Sequence, residues 1–329
     1  MRAAQDGDSQ RENHMTGMPR GRPGPRAPSA EVAGRLRVPA KVNLVLDVGA
    51  RRADGYHEVR TVLQAVTLFD DVHVAAAQDV TVSCATPALG PSDSNLAWRA
   101  AMLLRSAAGV RAGVHIRLRK RIPVSAGLGG GSADAAATLV ACARLWGLNW
   151  GRQRLAGLAA QLGADVPFFL WGGTALASGR GERIQRLPPL PPCPVVLVRP
   201  VAGSPTPAAY AALDAAGAWS RPDPAAVVGL ARGLASATRR QVVELLAAGL
   251  GNSFEAVLLA ARPDIVALRD ALLAQGALGT VLCGSGSAVC ALAPSIAWSH
   301  RAAAALRERG AWAYAARFFA AGVGGVARA

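Results

Sequence analysis

PVSAGLGGGSADAAATL, residues 123–139, sets four glycines within five positions and runs directly into an alanine-rich stretch. The alanines predict a helix that continues to about Trp146. The glycines let the backbone come close to a ligand at that helix's N-terminus, where unpaired N–H groups and the helix dipole favour an anion. Two common phosphate loops are excluded. A Walker A loop needs Gly-Lys-Ser/Thr at its end, which is absent. A dinucleotide fingerprint needs glycine where Ser132 stands and an acid roughly twenty residues on, yet no Asp or Glu lies between Asp134 and Asp165. What remains is an anion loop at a helix start, with Ser132 placed to cap the helix or reach a phosphate or metal. The plainer alternative is a flexible connection into an ordinary helix, capped by Ser132 with Asp134 in its first turn.

Upstream, RLRVPAKVNLVLDVGA, residues 35–50, places Leu36, Val38, Val42, Leu44, Leu46 and Val48 on even positions. That period of two predicts a strand with one buried face and with Lys41 and Asn43 side by side on the other. Lys41 stands out for a second reason. Of 36 basic residues only Lys41 and Lys120 are lysine, so a position that stays lysine in so arginine-rich a chain is a candidate for needing a compact ammonium. An Asp54-Gly55 turn follows and delivers Tyr56 and His57 to the same end of the sheet.

Further along, strands are expected at about 57–67, 72–77 and 113–119, with helices over 95–105 and 152–162. A tight loop and then a strand are expected in GADVPFFLWGGTALASGRGE, residues 163–182. The Pro-rich stretch 186–195 reads as a linker. Beyond it come a strand at 195–199, several helices, strands around 279–292, a helix and a last strand near 311–319. No unit repeats.

Composition narrows the function. The chain has 329 residues, 51% of them apolar, enough for two packed domains. Residues 1–33 hold almost no large apolar side chain and are expected to form a disordered tail, with Met15 and Met18 as alternative starts. No apolar segment opens the chain as a secretory signal would. The uncharged run from Ala271 to Ser299 is broken by Gly284, Gly286 and Pro294, so a buried helix, strand and loop are expected there and no membrane partner. Five cysteines without a CxxC pair suit a reducing cytoplasm, and five scattered histidines give no zinc motif. The net charge of +15 invites a nucleic-acid reading, but residues 1–40 carry seven Arg against four acids, so the excess is spread along the chain. Solvated arginine faces account for it, and no nucleic-acid partner is expected.

The stretches VPAKVNLVLDV, RADGYHEV, SNLAWRAAMLL, RIPVSAGLGGGSADAAATL, LGADVPFFL, GSPTPAAY and CGSGSA follow one another in an order that resembles the 4-diphosphocytidyl-2-C-methylerythritol kinase family. That family sits in the superfamily of galactose, homoserine, mevalonate and phosphomevalonate kinases. The resemblance runs from about Arg35 to Ser287. It implies a two-domain α+β fold: a ribosomal-protein-like amino-terminal domain over 34–188, and a ferredoxin-like carboxy-terminal domain over 189–329 that closes the substrate cleft. It also implies phosphorylation, by ATP with Mg2+, of a methylerythritol 2-hydroxyl on the non-mevalonate route to isoprenoids, by a monomer or weak homodimer.

By the same resemblance Asp165 is the catalytic base and Lys41 its partner, polarising the hydroxyl. Asp165 is the only acid between residues 135 and 181, and its apolar surroundings call for a partner; capping a turn is the plainer alternative. Gly127, Gly129, Gly130, Gly131 and Ser132 line the ATP phosphates in this reading, with Pro123 and Leu128 also on the nucleotide and Asn95 and Leu96 beside the adenine. Tyr56 and Tyr210 stack on a cytosine that His57 hydrogen-bonds; Asn43, Thr206, Gly284, Ser285 and Gly286 meet the substrate. Magnesium ligands are not defined beyond Ser132 and Asp165 as candidates. Two features depart from the family pattern: cysteines flank the loop in CGSGSAVCA, and GNSFEAV stands where an Asn-Asp pair is common. Neither is expected to touch the chemistry. On the residues alone two other readings stay open, a mevalonate- or homoserine-type kinase without a cytidine pocket and a non-catalytic basic RNA-binding protein of similar fold.

Overall fold

Alternating apolar residues draw Gly34–Arg51 into β1, and the Asp54-Gly55 turn folds the chain back as β2, His57–Ala77. The structure, a computed structural model, describes residues 34–85, 92–217, 221–233 and 239–323; the expected tail over 1–33 lies outside them. Gly55 adopts φ +84°, and Arg51 pairs with His57 across the turn. Two expectations change here. β2 is one unbroken strand rather than two, because β1 pairs along its length while β5 takes its start and β4 its end. β1 is buried on both faces, Lys41, Asn43 and Asp47 included: Lys41 and Asn43 line a cleft, and Asp47 is paired with Arg221.

The chain continues through β3 (Val80–Cys84), α1 (Leu96–Ala108), β4 (Gly113–Arg119), α2 (Gly130–Leu145), α3 (Arg152–Leu162), α4 (Val166–Trp171), β5 (Thr174–Ser178) and β6 (Arg183–Leu187). β3 and β4 lie parallel, joined through α1. The loop expected before β5 contains α4 instead. Pro167 favours a helix start there, and Phe168, Phe169 and Leu170 are fully buried, each worth roughly 1.5–3 kcal/mol. This short helix anchors Asp165, the residue just before it.

The Pro-rich connection crosses the core, with Leu190 and Cys193 buried. Then come β7 (Pro194–Arg199), α5 (Thr206–Ala216), α6 (Ala225–Arg232), α7 (Arg239–Gly249), β8 (Gly251–Asn252), α8 (Glu255–Ala261), α9 (Pro263–Ala274), β9 (Gly279–Leu282), β10 (Val289–Leu292), α10 (Ile296–Glu308) and β11 (Trp312–Arg317). The uncharged run from Ala271 thus resolves into the end of α9, two short strands and their loop.

Two sheets result. The first runs β3-β4-β2-β1-β8, with β5 and β6 continuing from β2; the second is antiparallel, β11-β7-β10-β9. With helices packed on each, the architecture is α+β. Sequence patterning gave no sign of β8. Its two residues pair parallel to Val45 and Leu46 of β1 and so tie the second half of the chain to the first sheet. Among the described residues no helix is long and apolar enough to cross a membrane.

Candidate active site

Lys41 and Asp165, 124 positions apart in the chain, meet on the wall of a cavity of about 520 Å3. The Lys41 Nζ lies 3.3 Å from Asp165 Oδ2 and donates to Asn43 Oδ1 at 2.8 Å. The buried partner is the lysine: its side chain is 4% exposed against 36% for the aspartate. An ammonium so desolvated needs a counter-charge and acceptors. Asp165 makes no side-chain cap bond at the start of α4, so its carboxylate is not committed to the turn. Asn43 is engaged at both ends of its amide. Its oxygen also accepts from Gly284 N–H at 2.9 Å, and its Nδ2 donates to Thr61 Oγ1 at 2.8 Å.

The glycine loop forms another wall. Gly129, at φ +74°, stands at the cap position of α2 with no side-chain cap bond, so the first N–H groups of the helix are left for a ligand. A Cβ at Gly129 would sit 2.6 Å from Phe169 Cζ, which is why α4 and the loop pack as one unit. Ser132 is not the cap; it lies in the first turn of α2 and lines the cavity. Pro123, Leu96 and the loop residues 127–132 line it too. Asn95 instead caps α1, its Oδ1 accepting from Ala97 N–H at 2.9 Å. The second glycine loop packs against the first. Gly284 and Ser285 line the cavity, Ser285 Oγ lies 2.8 Å from Thr206 Oγ1, and Gly286 sits behind them, near Gly127.

A second cavity, of about 1090 Å3, adjoins the first and holds the aromatic residues. His57 is buried and Tyr210 packs on it at 4.9 Å between ring centroids, with Phe254 edge-on to Tyr210 at 4.8 Å. Burial, with the charge of Asp165, pushes the Tyr210 phenol up to about 12, so it stays neutral. Tyr56 is 55% exposed, and the Arg180 guanidinium lies over its ring at 4.8 Å.

Sequence reasoning missed several residues. Asp214 on α5 places Oδ1 2.7 Å from His57 Nε2. Lys120, also at the cavity wall, pairs with the buried Asp70 and, at 2.6 Å, with Asp134. Asp70 accepts in addition from the N–H groups of Arg121 and Ile122. Lys120 shares the rarity that singled out Lys41, so the signal was present. The departure GNSFEAV has a role behind the site: Asn252 donates to the carbonyls of Leu282 and Gly284 and holds the second loop. Among the described residues no cluster of three His, Cys, Asp or Glu is arranged to hold a metal.

The chain matches the family described as GHMP kinases N terminal domain over residues 95–173 and GHMP kinases C terminal over 234–315. It is 44% identical over 271 residues to the 4-diphosphocytidyl-2-C-methyl-D-erythritol kinase of Pelotomaculum thermopropionicum, covering 82% of this chain and 92% of that one. Against the enzyme of the same name from Brevibacillus brevis it is 42% identical over 274 residues, 83% and 91% of the two chains. A crystal structure of 4-(cytidine 5'-diphospho)-2C-methyl-D-erythritol kinase superposes with a TM-score of 0.71 at 38% identity, over 87% of this chain and 99% of that one. Homoserine kinase from Cytophaga hutchinsonii shares the fold, with a TM-score of 0.68 at 19% identity, over 91% and 98% of the chains.

Proposed function

The chain belongs to the 4-diphosphocytidyl-2-C-methyl-D-erythritol kinases, within the GHMP kinases, and on that premise we propose which of its side chains carry the reaction. The enzyme phosphorylates the 2-hydroxyl of 4-diphosphocytidyl-2-C-methyl-D-erythritol with ATP, on the non-mevalonate route to isoprenoids. Asp165 takes the hydroxyl proton. Lys41, 3.3 Å from that carboxylate, offsets the negative charge that grows on the reacting oxygen. The pairing of these two groups inside a cavity that a helix N-terminus also lines is the observation that carries the proposal. Asn43 holds Lys41 through its oxygen, and its Nδ2, which gives one hydrogen to Thr61, keeps a second for the substrate.

Nucleotide phosphates fit the loop: the start of α2 is uncapped, and a Cβ at Gly131 would meet nothing nearer than Leu96 at 3.6 Å. Gly127, Leu128, Gly129, Gly130, Gly131 and Ser132 would hold them, with Leu96 and Pro123 toward the base and Asn95 setting the start of α1 beside it. Bound ATP supplies the phosphoryl group. Magnesium suits the hard oxygen donors on the wall, the Ser132 hydroxyl and the Asp165 carboxylate, completed by phosphate oxygens. Tyr56, His57 and Tyr210 take the cytosine, His57 by hydrogen bond and the tyrosines by stacking. Thr206 and Ser285, joined at 2.8 Å, meet the sugar-alcohol end with Gly284. A cytoplasmic location accords with the absence of any disulfide among the five cysteines.

The test is ADP release with Mg-ATP, comparing the cytidine substrate with mevalonate and homoserine, and Asp165→Asn as control. Turnover with the cytidine substrate alone, lost in Asp165→Asn, is expected. Wild-type rates in Asp165→Asn would overturn the assignment of the base.

A further inference from the structure

We propose that Arg180 binds the diphosphate of the substrate, an assignment that rests on the placement of the cytosine in the second cavity. The two cavities share four lining residues, Ala164, Arg180, Thr206 and Tyr210. A molecule with its base against His57 and its reacting hydroxyl at Asp165 passes through the neck these residues form. The diphosphate lies between base and hydroxyl, so the neck receives the anionic part. Of the four residues only Arg180 is charged. Taking a diphosphate out of water without a cation beside it is costly, and a guanidinium's planar fork matches phosphate oxygens.

The backbone under Arg180 is fixed. It sits in the turn between β5 and β6, flanked by Gly179 at φ +75° and Gly181 at φ +110°. The turn is fastened to β2: Val59 N–H donates to Gly179 O at 2.7 Å, and Gly179 N–H donates to Glu58 Oε1 at 3.1 Å. The side chain, by contrast, is lightly held. Its Nε lies 3.9 Å from Glu182 Oε2, beyond hydrogen-bond reach, and its guanidinium lies over the face of Tyr56. The guanidinium therefore keeps its donors available while reaching both the base-stacking ring and the neck.

The experiment measures cytidine, CMP and CDP as competitors of the cytidine substrate at saturating Mg-ATP, in the wild type, Arg180→Gln and Arg180→Lys. The wild type is expected to bind CDP more tightly than cytidine. Arg180→Gln should remove about tenfold of that advantage while leaving cytidine within twofold, and Arg180→Lys should restore part of it. The KM of the full substrate should rise in Arg180→Gln by a similar factor, more than kcat falls. An undiminished CDP advantage in Arg180→Gln, with cytidine still competing, overturns the role of Arg180 alone. If cytidine fails to compete even in the wild type and His57→Gln changes nothing, the placement of the base falls, and this proposal with it.

Discussion

Asp214 Oδ1 lies 2.7 Å from His57 Nε2, joining α5 of the second half to the first residue of β2. A carboxylate can only accept, so Nε2 carries the hydrogen and the ring is held in one orientation with Nδ1 left for a ligand. Asp214→Ala is therefore predicted to raise KM for the cytidine substrate about tenfold with little change in kcat. Steady-state kinetics checks this, and an equal fall in kcat would place Asp214 in the chemistry instead.

Lys41 should resist exchange for arginine even in this arginine-rich chain. Its Nζ serves Asn43 and Asp165 together, and its stem runs so close to Gly129 that a Cβ there would meet Cγ at 3.0 Å. A guanidinium is larger and cannot place a point charge at the same spot. Lys41→Arg is expected to lower kcat by about 10²–10⁴, the range for a group acting on a proton transfer. Thermal unfolding of the variant separates this from loss of fold.

The Lys120 cluster bears on stability. Lys120→Met leaves Asp70 and Asp134 buried without their cation, and losing one partner of a buried pair costs roughly 3–5 kcal/mol. Denaturant titration should show the loss. Burial pushes the Asp134 carboxyl up to about 7, against the pull of Lys120 and aided by the like charge of Asp70. A folded-state value above the ordinary 3.8 means that the native state holds this proton more tightly. The stabilisation is fully present below the unfolded value and is lost as pH rises through about 7. Unfolding midpoints should therefore decline from pH 5 to 8, and Asp134→Asn should flatten that decline.

Gly127 has φ +77°, and a Cβ there would run into the carbonyl of Cys283. Gly127→Ala forces the two glycine loops apart and strains the backbone as well. Activity should fall by at least an order of magnitude, with a lowered unfolding midpoint; unchanged kinetics would mean that the loops need not touch during turnover.

Much of this site was legible as local pattern. The Asp54-Gly55 turn predicts where Tyr56 and His57 stand, and the glycine run before alanines marks the start of α2. Lys41 was betrayed by its rarity, a test that applied equally to Lys120. What stayed hidden depends on distant partners. Asp214 sits among alanines in the last turn of α5, and only its meeting with His57 of β2 gives it meaning. Arg180 is one of 34 arginines until two cavities are seen to meet at it. β8 is too short to leave a periodic trace, and α4 was masked because a short buried helix and a buried loop share the same apolar signature.

The single oxygen of Asn43 accepts from Lys41 of the first half and from Gly284 of the second. Thr61, on the neighbouring strand, holds the other end of the same amide. The lysine that faces Asp165 and the loop that faces Thr206 are thus both measured from one atom, a common datum for the two walls of the cleft.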